Sequence, residues 1–136
     1  MGKALAFDWG LKRIGIAVTD DLRIIASGLT TVETENIFSF INEYLQKHVV
    51  TNFVVGMPKR LNNTDTHSTE NVRGFIKELN TKHPLIPIVE IDERFTSKMA
   101  SVVISQSNKS KKKKQNKSLI DEVSATIILQ SYLNKF

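Results

Sequence analysis

The stretch Lys3-Ala4-Leu5-Ala6-Phe7-Asp8-Trp9-Gly10-Leu11-Lys12-Arg13-Ile14-Gly15-Ile16-Ala17-Val18-Thr19 decides how this chain is to be read. It holds two short runs rich in Ala, Phe, Ile and Val on either side of Gly10-Leu11-Lys12, which reads as a hairpin of two strands. Near the end of the first strand stands a carboxylate, Asp8, in otherwise apolar company. A carboxylate buried in a strand costs several kcal/mol without a partner, so a cation, hydrogen bonds or a metal ion should accompany it.

A third apolar run, residues 24–32, follows the polar Asp20-Asp21 turn. From Asn36 to His48, Ile37, Phe38, Ile41 and Leu45 recur at helical spacing, with Thr34 placed to cap the start. Residues 52–55 read as a buried strand that stops at Gly56-Met57-Pro58, because proline brings no ladder donor. Ser68 is placed to cap a second helix reaching about Thr81, and His83-Pro84 breaks it. Residues 86–92 form the fifth strand, Thr96 can cap a helix carrying Met99, Val102 and Val103, and a last helix spans 118–133. The order βββαβαβαα predicts an α/β fold, a mixed five-stranded sheet with helices on both faces.

The length, 136 residues, fits one domain over residues 1–136. A composition of 40% hydrophobic and 24% charged residues is that of a globular chain. No apolar run approaches the roughly 18 residues of a spanning helix, so a soluble, cytoplasmic protein without membrane partners is expected. The absence of cysteine excludes disulfides, thiolate catalysis and cysteine-based zinc sites. The three histidines, His48, His67 and His83, are not spaced as a metal pair and read as surface or loop residues. Thr96-Ser97 reads as a helix cap rather than a nucleophile.

The net charge of +5 is concentrated. Lys109, Lys111, Lys112, Lys113, Lys114 and Lys117 occupy a stretch without acids, and removing these six from +5 leaves the rest at −1. Such a run, here a mobile lysine-rich loop over 106–117, either attracts a polyanion, nucleic acid above all, or is simply solvated.

Two further acidic groups sit at element ends. Asp92-Glu93-Arg94 closes the fifth strand and Asp121 lies in the first turn of the last helix. Asp121 and Glu122 could do no more than favour the helix dipole, a contribution of about 0.3–1 kcal/mol, and Asp92-Glu93-Arg94 could be a local ion-pair cluster. Strand ends and helix starts share a rim in layered folds, however, and clustered carboxylates are what Mg²⁺ or Mn²⁺ requires.

Four segments in order, residues 7–18 around Asp8-Trp9-Gly10, then Gly56-Met57-Pro58, Asp92-Glu93-Arg94-Phe95-Thr96-Ser97, and residues 121–130 beginning Asp121-Glu122-Val123-Ser124, closely resemble the YqgF family. Its members are described as Holliday-junction resolvases and as pre-16S ribosomal RNA nucleases. The resemblance covers nearly the whole chain. It implies a ribonuclease H-like fold, a bacterial cytoplasmic protein, and divalent-metal phosphodiester hydrolysis with Mg²⁺ or Mn²⁺.

Carried onto this chain, the family's acids fall on Asp8, on Glu93 with Asp92 as the alternative, and on Asp121. Lys12, Arg13 and Arg94 beside them are candidates to hold the scissile phosphate, while Lys111, Lys112, Lys113, Lys114 and Lys117 would grip flanking backbone. Arg94 is equally a candidate structural partner of Asp92. Two departures stand out: the loop after Pro58 lacks the usual glycine, and Gly56 stands where related junction resolvases carry an acid. The expected partners are precursor 16S ribosomal RNA or structured DNA, with the ribosomal small-subunit precursor as a further candidate, and the protein would act as a monomer or homodimer. A binding module of the same fold without cleavage is the alternative. Asp8-Trp9-Gly10 also resembles the first phosphate motif of actin-like ATPases, but these need two such domains.

Overall fold

The computed structural model describes residues 2–58, 67–92 and 117–135. Strands β1 (Lys3–Asp8), β2 (Arg13–Thr19) and β3 (Ala26–Glu33) form an antiparallel meander. A 3₁₀ turn (Thr34–Asn36), helix α1 (Ile37–Lys47), strand β4 (Val50–Met57), helix α2 (His67–Lys82), strand β5 (Ile88–Asp92) and helix α3 (Lys117–Lys135) follow. The sheet order is β3-β2-β1-β4-β5, with β1, β4 and β5 parallel. The expected mixed five-stranded sheet is present. The helix expected from Thr96 lies outside the described residues.

Alternation along the strands separates large side chains from small ones. Leu5, Phe7, Ile14, Ile16, Phe53 and Val55 form one core with Ile41 of α1 and Val72, Phe75 and Leu79 of α2. Phe7 is its hub, 5.8 Å from Phe53 and 5.6 Å from Phe75 between ring centroids. The other face carries Ala4, Ala6, Ala17, Val54 and Ile91, and α3 covers it with Ala125, Ile128, Leu129 and Tyr132. Small residues on this face let α3 lie close to the sheet.

Several expected boundaries move, each for a visible reason. Thr34 does not cap α1: its hydroxyl donates to the Gly10 carbonyl at 2.6 Å and its N–H to the Lys12 carbonyl at 3.0 Å, which latches the β1–β2 turn. The helix starts only at Ile37. Ile24 and Ile25 fall in the β2–β3 turn rather than the third strand, 65% and 61% exposed. Their N–H groups donate to the Asp20 carboxylate at 2.7 and 3.2 Å, which holds its pKa below the usual value. The fourth strand is longer than expected and the fifth shorter, while α2 ends at Lys82, immediately before His83-Pro84. Ser68 lies inside α2, not at its cap. His83 is a loop residue after α2, as read, and its Nε2 is buried without a hydrogen-bond partner.

Candidate active site

Asp8 ends β1, half-buried, on the α3 face that it shares with Ala4 and Ala6. Across the sheet it pairs with Gly15, and Gly15 with Thr31 of β3. On its other side Phe7 pairs with Val55, so Asp8 runs alongside Gly56. Val54 belongs to the α3-side core, which puts Gly56 on that face as well. Asp8 is thus flanked on both neighbouring strands by buried glycines, Gly15 and Gly56. The residues directly beside it on β2 and β4 therefore carry no side chain of their own.

The β1–β2 turn brings cations to the same rim. Arg13 opens β2 two residues before Gly15, on the face of Asp8, and Lys12 precedes it, exposed. Gly10 is required here, since a Cβ would stand 2.6 Å from the Arg13 carbonyl oxygen. The turn is therefore tight, and Thr34 clamps it.

Asp92 reaches the same edge two strands away, paired with Met57. Its neighbour Ile91 lies in the α3-side core, so alternation places Asp92 on the α1–α2 face, opposite Asp8. Glu93, Arg94, Lys111, Lys112, Lys113 and Lys114 lie outside the described residues. Lys117, expected in the lysine-rich loop, is the first residue of α3. Asp121 is the fifth residue of that helix rather than part of its first turn, which contains no acid. Its neighbour Glu122 accepts a hydrogen bond from Thr31 Oγ1 at 3.4 Å. Thr31 ends the row Asp8–Gly15–Thr31, so Glu122 of α3 lies over the β3 end of that row, and Glu122 and Thr126 both border Gly28 of β3.

Among the described residues no three His, Cys, Asp or Glu side chains form a metal-holding group. What the described part supplies is one oxygen donor of the type that Mg²⁺ or Mn²⁺ favours, Asp8, in a glycine-walled recess where further donors can approach. That fits a hard divalent cation and requires the remaining ligands from beyond β4 and β2. The glycine walls and the Thr34 clamp were not anticipated from the sequence. The i, i+7 separation of Asp8 and Gly15 gives no hint of facing residues until the hairpin register is known.

The model of the family described as "RuvX: Holliday junction resolvase" matches residues 2–135. The chain belongs to the RuvX family. Curated RuvX-like relatives include a Phocaeicola vulgatus protein, 49% identical over 98% of this chain and 96% of its own length, and a Porphyromonas gingivalis protein, 48% identical over 98% and 97%. Both are named "Putative pre-16S rRNA nuclease". Among solved structures, the RuvX fold is similar to Thermus thermophilus RuvC in complex with a Holliday junction substrate. That match has a TM-score of 0.58 and 13% identity over 99% of this chain and 96% of the other. Fowlpox virus resolvase with Holliday junction DNA matches at TM-score 0.60 and 13% identity, over 98% and 97%. At that identity the likeness concerns the fold, and it bears out the ribonuclease H-like expectation.

Proposed function

We propose that this RuvX-family chain is a divalent-metal-dependent endonuclease that hydrolyses phosphodiester bonds in structured nucleic acid, with the 5′ end of precursor 16S ribosomal RNA as its substrate. The observation that carries the reading is Asp8, set at the carboxyl rim of the sheet between two glycines with Arg13 on the same face. The preference for RNA rests on relatives at 48–49% identity named for that substrate, against junction-bound structures at 13%.

In this proposal Asp8, Glu93 and Asp121 would hold the metal ions. Glu93 is preferred over Asp92 because Asp92 stands on the opposite face from Asp8. When bound, a pair of Mg²⁺ or Mn²⁺ ions supplies a water of lowered pKa and charge stabilisation for the leaving 3′-oxygen. Arg13 and Lys12 orient the phosphate at the β1–β2 turn, Arg94 is a further candidate to contact it, and Lys111 to Lys114 with Lys117 would hold the flanking backbone. The chain would act in the cytoplasm on the ribosomal small-subunit precursor, as a monomer or homodimer. Cleavage of a four-way junction is the second reading, favoured by the family's description and by the junction-bound structures of the same fold. It would require a two-fold dimer to cut symmetrically.

The test offers precursor 16S ribosomal RNA and a four-way junction to the same preparation with Mg²⁺ or Mn²⁺. The expected outcome is site-specific RNA cleavage that Asp8→Asn abolishes while RNA binding persists. Binding without cleavage under either metal would overturn the enzymatic reading in favour of a positioning module. Paired symmetric cuts in the junction alone would move the substrate to DNA.

A further inference from the structure

On the other face of the same rim, a cleft of about 480 Å³ opens between the 3₁₀ turn, α1 and α2. Trp9, Phe38 and Phe75 give it aromatic walls, and Glu35, Asn71 and Glu78 give it polar ones. Gly74 completes the α2 side. Trp9 directly follows Asp8, and alternation points the two side chains to opposite faces, Asp8 toward α3 and Trp9 toward the α1–α2 core. A nucleotide strand draped over this edge could place a phosphate near Asp8 and an adjoining base in the cleft.

We infer that the Trp9 cleft is a pocket for one unstacked base next to the scissile phosphate, and that its preferred base is guanine. The inference rests on the nuclease reading for its biological setting. Trp9 is the ring placed to stack on a base of any kind, since Phe75 is buried in the core and Lys82 Nζ lies over the Phe38 ring. Selectivity comes from the acids, because carboxylates only accept hydrogen bonds. Guanine offers two adjacent donors, N1–H and the 2-amino group. Adenine and cytosine set an acceptor beside their amino group, and uracil flanks its single N–H with two carbonyls. A phosphate is repelled by the same two carboxylates. Lys82 Nζ, 5.1 Å from the centre of the Phe38 ring and 3.9 Å from Glu78, already supplies Glu78 with a cation beside the cleft.

Gly74 supplies an independent indication. It lies inside α2, where glycine is disfavoured, yet a Cβ at this position would meet nothing within 4 Å. No packing contact requires it. Its effect is to leave the cleft wall open.

Trp9 is the chain's only tryptophan, so fluorescence excited at wavelengths that Tyr44 and Tyr132 do not absorb reports on this cleft. The full chain, without added metal, is titrated with guanosine 5′-monophosphate, uridine 5′-monophosphate and free arginine. Saturable quenching by the guanine nucleotide is expected, roughly tenfold tighter than by the uracil one, the order of one good base-edge pair. Gly74→Leu should remove the quenching with helix content retained, and Glu35→Gln with Glu78→Gln should level the two nucleotides. Equal affinity for both nucleotides, quenching by arginine instead, or full quenching in a folded Gly74→Leu protein would overturn the inference. Asp8→Asn should keep the quenching. Loss of cleavage therefore bears on the nuclease reading, and loss of base preference in a cleaving enzyme on the pocket.

Discussion

Gly74 also has a consequence for stability, because a glycine inside a helix forgoes about 0.5–1 kcal/mol relative to alanine. With open space around its Cβ position, Gly74→Ala should raise stability by about that amount, measured as the urea midpoint at unchanged slope. At the other end of α2, His83 has a pKa below its ordinary value of 6.5, chiefly through desolvation and secondarily through Lys82. Its neutral form suits the buried Nε2, which has no partner to accept an added proton's hydrogen bond. Between the lowered folded value and 6.5 the unfolded chain binds more protons, so stability should rise with pH through that window. The contribution is present above pH 6.5 and lost as pH falls through the folded value. In His83→Gln the melting temperature should fall less steeply on acidification; an unchanged slope would assign the acid sensitivity to other groups.

At the scale of elements, Thr34 latches the β1–β2 turn from outside it, its hydroxyl on the Gly10 carbonyl and its N–H on the Lys12 carbonyl. Thr34→Ala should cost about 1 kcal/mol, the ordinary worth of a hydrogen bond. It should also lower cleavage more than substrate binding, because the turn that carries Lys12 and Arg13 loosens. A proportionate loss in both, in single-turnover assays, would make the clamp purely structural. The hairpin was legible in the sequence because Leu5, Phe7, Ile14 and Ile16 alternate with small residues, and local pattern suffices for strands. The start of α1 was not. A threonine three residues before an apolar helix looks like a cap until a carbonyl 24 residues away takes its hydroxyl. Asp8 could be suspected from its apolar company. Its recess could not, since Gly15 and Gly56 flank it only through antiparallel and parallel registers that no short-range spacing encodes. The same holds for Asp92, whose residue type fits a metal site and whose phase in β5 turns it to the other face.

Across the whole molecule, charge and core divide the labour between binding and folding. The net +5 belongs to the lysine-rich stretch, so Lys111 to Lys114 replaced by Ala should flatten the salt dependence of RNA binding by up to about 3 in log–log slope. An unchanged slope would mark the run as merely solubilising. The core is governed by Phe7, fully buried between Phe53 and Phe75, and Phe7→Ala should destabilise the chain by about 3–5 kcal/mol in equilibrium denaturation. The sheet order β3-β2-β1-β4-β5 also sets a timetable. The three strands of the meander are neighbours in sequence and can close their ladders as soon as they are made. The parallel pairing of Lys3 with Val50 must wait for a loop of some forty-seven residues to close, a slower event. Because α3 is synthesised after every strand, the alanine face of β1 and β2 spends part of each chain's synthesis uncovered. During that interval the nascent sheet is a template for wrong partners, so chaperone demand should peak just before residues 117–135 emerge.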